Sequence, residues 1–352
     1  SKKRLPTSFG IRNPERSKCH DGSSTQPSAE GEVSVTTITI GVDLAKNVFS
    51  VCAVNAAGRV LDRKDLRREA FAAFLVQLPA DTVVAMEACS GAHYWGRRCV
   101  ELGLRPLLMA AQFVKPFRKS AGNKNDRNDA EAIATAARQG NMRFVPLKSV
   151  DRQVRLSWHR VREGYKVESL AIGNRIRGLL AEFGVVIAPS DAALRRWLVD
   201  LGSVSLPSEL IELIRDLSEH WDSVRERVVT CDRRIEAHAR ADERCVRVRS
   251  IIGIGPLTAD AVVATIGDAK EFKNGRQLSA WLGLVPTQHS SGGHTRLGGI
   301  SCRGDAYLRT LLIQGARSSL QRAKAVSVEK ATPEQLWIRS LVARLPFGKL
   351  IV

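Results

Sequence analysis

Four acidic residues stand where a carboxylate needs a reason. Asp43 follows the apolar, strand-like run ITIGV, and Glu87 closes a second such run, DTVVAM. Asp126 and Asp129 lie three apart at the start of an alanine-rich segment, a spacing that puts both on one face of a helix. A carboxylate within a sheet is costly to bury unless it is paired or binds a cation. Taken singly, each has an ordinary explanation: a turn-forming Asp at 43, a helix-capping Asp at 126 or 129. Together they are hard oxygen ligands gathered around one sheet. That donor set suits Mg²⁺ or Mn²⁺, and two such ions about 4 Å apart can clamp the attacking and leaving oxygens of a phosphodiester. Zinc is poorly served, since His289, His294 and Cys302 match no strong zinc spacing.

Three further stretches could handle phosphates. Lys115, Arg118, Lys119, Lys124 and Arg127 form a basic loop broken by Gly122 and Asn123, just ahead of the helix with the paired aspartates. RSIIGIGPLTADAVVATIG, residues 249–267, reads as a helix end, a tight turn at Gly253 and Gly255, and a second helix. This helix-hairpin-helix pattern aims backbone N–H groups at a nucleic-acid phosphate, or else makes a plain helical corner. Ser290-Ser291-Gly292-Gly293 reads as a flexible polar loop, followed by Arg296, Arg303 and Arg309. It is a surface loop, or a serine offered to a phosphate with arginines to stabilise the developing charge. His289, His294 and a metal are the candidate activators.

The elements that would position these residues follow from periodicity. Residues 38–43, 48–54 and 59–66 read as three strands in meander order, 69–78 as a short helix, and 81–87 as a central strand apolar on both faces. A helix over 92–102, a strand over 105–109 and a helix from 111 come next. Three antiparallel strands followed by alternating β and α describe a ribonuclease-H-like sheet, in which the end of the Glu87 strand lies beside the Asp43 strand. Residues 151–245 are helical in pattern, a long helical hairpin or coiled coil suited to self-association. The expected organisation is a disordered leader over 1–35, a catalytic α/β domain over 36–150, a helical spacer over 151–245, and a mostly α-helical domain over 246–352.

The chain carries a formal net charge of +18 and seven scattered cysteines without a CxxC pair, which suits reduced thiols in a cytosol. Seventeen basic residues meet 10 acidic ones over 36–150, 16 meet 16 over 151–245, and 11 meet 4 over 246–326. A polyanion would be held by the two flanking segments, and the neutral middle would be scaffold. Nothing resembles a membrane span or a signal peptide.

Read as an ordered set, GVDLAK, AMEACSG, KNDRNDAEAIA, IIGIGPLTA and GLVPTQHSSGGHTRLGGISCRGDAYLR resemble the DEDD transposases of bacterial mobile elements, the insertion-sequence 110 family. The resemblance covers roughly residues 36–325. It implies a RuvC-like domain whose acids Asp43, Glu87, Asp126 and Asp129 bind Mg²⁺, a coiled-coil spacer for dimerisation, and a C-terminal transposase domain. There the nucleophilic serine is the one directly before the glycine, Ser291, with Ser290 its neighbour. It also implies guidance by a noncoding bridge RNA that pairs with donor and target DNA, in a dimer or tetramer whose protomers share sites. A bacterial cytoplasmic protein at the nucleoid is expected. The chain's end near Phe347-Gly348-Lys349, where the family has a further helix, reads as a truncation. Two other functions fit the same residues: a hydrolytic junction-resolving nuclease in which Ser291 is structural, and an inactive remnant that still binds nucleic acid.

Overall fold

The computed structural model describes residues 38–118 and 126–351; the leader, Lys119 and Lys124 lie outside them, as do the side chains of Asp126 and Arg127. Strands β1 (Thr39–Asp43), β2 (Val48–Val54) and β3 (Val60–Arg67) form the expected meander, followed by helix α1 (Arg68–Val76). Strand β4 (Val83–Glu87), helix α2 (Ala92–Glu101), strand β5 (Arg105–Met109), the single turn α3 (Ala111–Val114) and helix α4 (Asp126–Ala137) complete the alternating part. A two-residue strand β6 (Phe144–Val145) adds an antiparallel edge that periodicity could not show. The six strands lie in the order β3-β2-β1-β4-β5-β6, with β1 parallel to β4 and β4 parallel to β5. This mixed sheet has the strand order and directions expected of a ribonuclease-H-like arrangement.

Strand alternation gives each face its own cover. Ile40 and Val42 of β1, with Val84 and Met86 of β4, point into the larger core, where Phe49, Phe71 and Trp95 pack edge to face beneath α1 and α2. Gly41 and Ala85 point the other way, toward α4, whose Ala130, Ile133, Ala134 and Ala136 are fully buried. The approach there is so close that a Cβ on Gly41 would overlap the Ala130 carbonyl and the Ala134 amide. Small residues on both sides thus let α4 lie directly on β1.

Helix α5 (Val150–Ala181) starts at a Ser149 cap, and α6 (Asp191–Val199) and α7 (Ser208–Ala241) follow. The two long helices pack against each other through Ile172, Ile176, Leu180, Ile214, Leu217 and Trp221. Beyond them come α8 (Glu243–Val248), α9 (Pro256–Ile266), α10 (Gly275–Trp281), strands β7 (Pro286–Ser291) and β8 (His294–Ile300), α11 (Ala306–Ala325), α12 (Pro333–Val342) and the short α13 (Phe347–Leu350). Among the described residues, no helix is long and apolar enough to cross a membrane.

A buried polar joint fastens this C-terminal part to α5. Asp260 of α9 is wholly buried and receives hydrogen bonds from Arg155 Nε at 2.9 Å and from Arg155 Nη2. Its other oxygen meets His159 Nε2 at 2.9 Å, and His159 Nδ1 meets the Tyr307 hydroxyl of α11 at 2.9 Å. Arg155 also donates to Asp242 at 2.7 Å. One turn earlier on α5, Arg152 donates to the carbonyls of Ala264 and Thr265, closing the C-terminal end of α9.

One expectation changes. The 290–293 segment is no loose loop but the tip of the β7–β8 hairpin, with Ser291 paired to His294 across Gly292 and Gly293. Both glycines have positive φ, 56° and 82°, as a two-residue turn matched to strand twist requires. The strands are exposed on both faces, so no apolar alternation announced them. The turn at Gly253 is tight, as its sequence suggests: a Cβ there would stand 2.5 Å from Ser319 Oγ and 2.8 Å from the Gly315 carbonyl of α11. Glycine at 253 is required by that packing, whereas Gly255 faces open space.

Candidate functional site

Parity places the acids. Asp43 continues the Gly41 side of β1 and Glu87 continues the Ala85 side of β4, so both carboxylates project toward the α4 face. The parallel register pairs Val42 with Met86, which sets Asp43 and Glu87 side by side at the C-terminal ends of adjacent strands. Asp129 enters the same region from the first turns of α4, where it is buried. Asp126 opens that helix one turn earlier. The four positions singled out by sequence therefore come from three elements meeting at one end of the sheet.

Arg118 stands among them. Its Nη2 lies 3.3 Å from Glu87 Oε1 and its Nε 3.0 Å from Asp129 Oδ1, so one guanidinium spans a strand carboxylate and a helix carboxylate. The Nε contact has ion-pair distance without hydrogen-bond alignment. Arg118 belonged to the basic loop read as a phosphate contact; here it neutralises acids, a role no sequence spacing displays. Nearby, burial and then the charges of Glu87 and Asp43 push the Cys89 thiol above its ordinary value.

Those donors are carboxylate oxygens on stiff elements, the chemistry that Mg²⁺ or Mn²⁺ takes, and the Glu87–Asp129 pair already accommodates one positive group between them. Among the described residues no three acids, histidines or cysteines stand close enough to hold a metal ion. Glu131, the next acid on α4, is a structural partner instead: it is buried and ion-paired with Arg63 of β3.

In the C-terminal part, hairpin register sorts the polar residues by face. His289 pairs with Arg296 and Ser291 with His294, so these four share one face, while Ser290 and Thr295 share the other. The Ser290 hydroxyl accepts from Gln288 at 2.7 Å. Ser291, His289, His294 and Arg296 are all exposed. Arg303, next to the positive-φ Cys302, is exposed too, whereas Arg309 donates to the Leu282 carbonyl at 2.9 Å and serves the fold. Lys115 is exposed within the turn that follows α3.

Known proteins agree in kind. Residues 40–184 match a DEDD family model described as "Transposase", and residues 245–331 match "Transposase IS116/IS110/IS902 family". The chain is 44% identical over 317 residues to a "Probable family 20 transposase" of Pseudomonas aeruginosa, covering 89% of this chain and 92% of that one. It is 40% identical over 320 residues to the "Transposase for insertion sequence element IS1111A" of Coxiella burnetii, covering 89% and 85%. Among solved structures, Thermus thermophilus RuvC in complex with a Holliday junction substrate is 16% identical, with a TM-score of 0.24, over 31% of this chain and 99% of that one. Matches to both transposase models, with relatives 44% and 40% identical over 89% of the chain, make this chain a member of the IS110-type transposase family.

Proposed function

We propose that this transposase is an RNA-guided DNA recombinase in which Asp43, Glu87, Asp126 and Asp129 hold Mg²⁺ or Mn²⁺ and Ser291 is the nucleophile. The observation that carries the metal reading is the pairing of Glu87 and Asp129 around the Arg118 guanidinium, with Asp43 next to Glu87 at the end of the adjacent strand. Bound among these acids, divalent ions would orient a phosphodiester and neutralise the charge that grows on its oxygens. Arg118 would then exchange its carboxylate partners for the incoming phosphate, a geometry arginine matches well.

Ser291 Oγ forms the new bond to phosphorus and gives its proton to a base on the same hairpin face, His294 or His289. The bond to the departing deoxyribose oxygen breaks, and that oxygen takes up a proton. Arg296, on the same face, stabilises the charge between the two states. The phosphoserine link conserves the bond for rejoining when a second deoxyribose hydroxyl attacks. Shared orientation with two histidines and an arginine favours Ser291 over Ser290, whose hydroxyl is turned to Gln288.

In this reading the acids and the serine come together from different protomers of a dimer or tetramer, with the balanced α5–α7 region as the contact. Lys115, Lys119, Lys124, Arg127, Arg303 and the open Gly255 turn contact nucleic acid, and a bridge RNA selects donor and target. The test is a denaturing gel of protein, Mg²⁺, labelled junction DNA and RNA transcribed from the element's flanks. A labelled band at protein-plus-DNA mass, retained in Ser290→Ala but lost in Ser291→Ala and Asp126→Ala, is expected. Cut DNA without that band, persisting in Ser291→Ala, makes the protein a hydrolytic nuclease instead.

A further inference from the structure

At the junction of the sheet and α5, away from the acids, the side chains of His93, Arg97 and Lys148 meet with few acceptors, and Arg160 adds its charge at longer range. His93 and Arg97 project from α2, Lys148 precedes α5, and Arg160 lies two turns beyond Arg152 on α5. The Lys148 ammonium is 3.2 Å from His93 Nε2, and the Lys148 backbone N–H is 3.3 Å from His93 Nδ1. A neutral imidazole can accept at only one ring nitrogen, so in either tautomer the other ring N–H points at a donor. Arg97 spends its reach on the Lys148 carbonyl at 2.8 Å and on Gln153 Oε1 at 2.5 Å. Among the described residues, none of these cations makes an ion pair with a carboxylate, and Arg160 is exposed.

The charges feel one another. Burial first, then Lys148, Arg97, Arg152 and Arg160, hold the His93 imidazole down to about 4, so it is neutral at physiological pH. Burial followed by Arg152 and Arg160 also lowers Lys148, and Asp305 is the acid that acts against them at longer range. Arg152 behind the cluster is committed to the end of α9, with Glu271 as its more distant counter-charge. Folding has therefore kept several like charges together at a half-buried spot at some cost, with a surplus of N–H groups and, among the described residues, no carboxylate in ion-pair contact with Arg97, Lys148 or Arg160.

We propose that His93, Arg97, Lys148 and Arg160 form a phosphate-binding seam that takes the sugar-phosphate backbone of a nucleic-acid strand passing between the RuvC-like unit and the C-terminal unit. A phosphodiester oxygen supplies the acceptor that the His93 N–H and Lys148 lack, and its charge relieves the repulsion among the cations. The seam is distinct from the acid cluster, and it does not depend on the chemistry assigned to Ser291.

The test is equilibrium binding in EDTA, where no strand chemistry intervenes, followed over a range of salt concentrations with three probes: mixed-sequence duplex DNA, single-stranded DNA and a hairpin RNA. The variant is Lys148→Gln with Arg160→Gln, and Arg160→Gln alone serves as an exposed substitution that leaves the fold unstrained. Arg175→Gln with Arg196→Gln, remote and exposed, is the control for net charge. If each removed cation served one phosphate, the slope of log K against log salt falls by about 1.8 on duplex DNA or about 1.4 on a single strand. A fall on one probe alone supports the seam and names the strand it holds; a fall on all three supports generic backbone binding. Slopes unchanged on every probe, or lowered no more than in the control, overturn the proposal.

Discussion

Replacing Asp260 by Asn tests whether the joint between α5 and α9 is what holds the C-terminal unit in place. Asp260 is 0% exposed and Arg155 5%, so the pair sits out of water. Breaking a buried ion pair by removing one partner costs about 3–5 kcal/mol, because the other charge is left without compensation. Arg155 keeps Asp242 at 2.7 Å, and Asn can still accept one of the lost bonds, so the expected loss is toward ~2–3 kcal/mol. Its sign with pH follows from the carboxylate. Burial pushes Asp260 upward, but hydrogen bonds from His159 and Arg155 and the Arg155 charge outweigh it, leaving it below its ordinary value of 3.8. A group lowered in the folded state contributes stability that is complete above the unfolded value and is lost as pH falls through the folded one. Wild type should therefore lose this increment only below about pH 3.8, and Asp260→Asn should show a smaller acid dependence. Urea unfolding at pH 7 and at pH 3.5, with limited proteolysis between α7 and α9 as a local readout, separates these effects. Equal midpoints for variant and wild type at pH 7 would falsify the assignment of the joint as a fastening.

Arg118→Gln should tighten Mg²⁺ binding, since the guanidinium that competes for Glu87 and Asp129 is removed; calorimetric titration at fixed ionic strength reads a gain of up to roughly 5-fold, the size of one partly exposed ion pair. A weaker affinity in that variant would mean that Arg118 organises the acids rather than occupying them. Gly41→Ala drives a methyl group into the Ala130 carbonyl of α4 and should destabilise the sheet by about 1–3 kcal/mol or more, seen as a lowered thermal midpoint. Gly292→Val with Gly293→Val forces side chains onto positive φ at the hairpin tip. It should abolish the covalent protein–DNA band while binding to duplex DNA persists, which gel shift and denaturing gel measure side by side.

What the sequence displayed and what it hid have the same physical origin. A strand of alternating parity fixes which face each residue takes. An acid at the end of an apolar run can therefore be placed beside another before any coordinates exist, and Asp43 and Glu87 fell where their parity put them. Pairwise long-range contacts leave no such trace. Arg118 reads as one more member of a basic loop, and only the approach of α4 to β4 turns it toward Glu87 and Asp129. Hairpin β7–β8 escaped because both its faces are wet, so the only local signal was Gly292-Gly293, which looks the same in a flexible loop and in a tight turn. Arg155 and His159, four apart on a long charged helix, look like a solvated face; they are buried because α9, built of small residues such as Ala259, Ala261 and Ala264, can come close enough to cover them. Yet a signal for that joint was present. Asp260 is the one acid in the apolar stretch PLTADAVVATI, just as Asp43 is in its own strand, and the cost of burying it demands a partner in the same way. Oxygen donors with open approach suit a metal, whereas Asp260 is surrounded by arginine and histidine and is spent on structure. The anomaly in the sequence identifies where a charge is buried, and the neighbours that the fold brings to it decide whether that charge serves chemistry or cohesion.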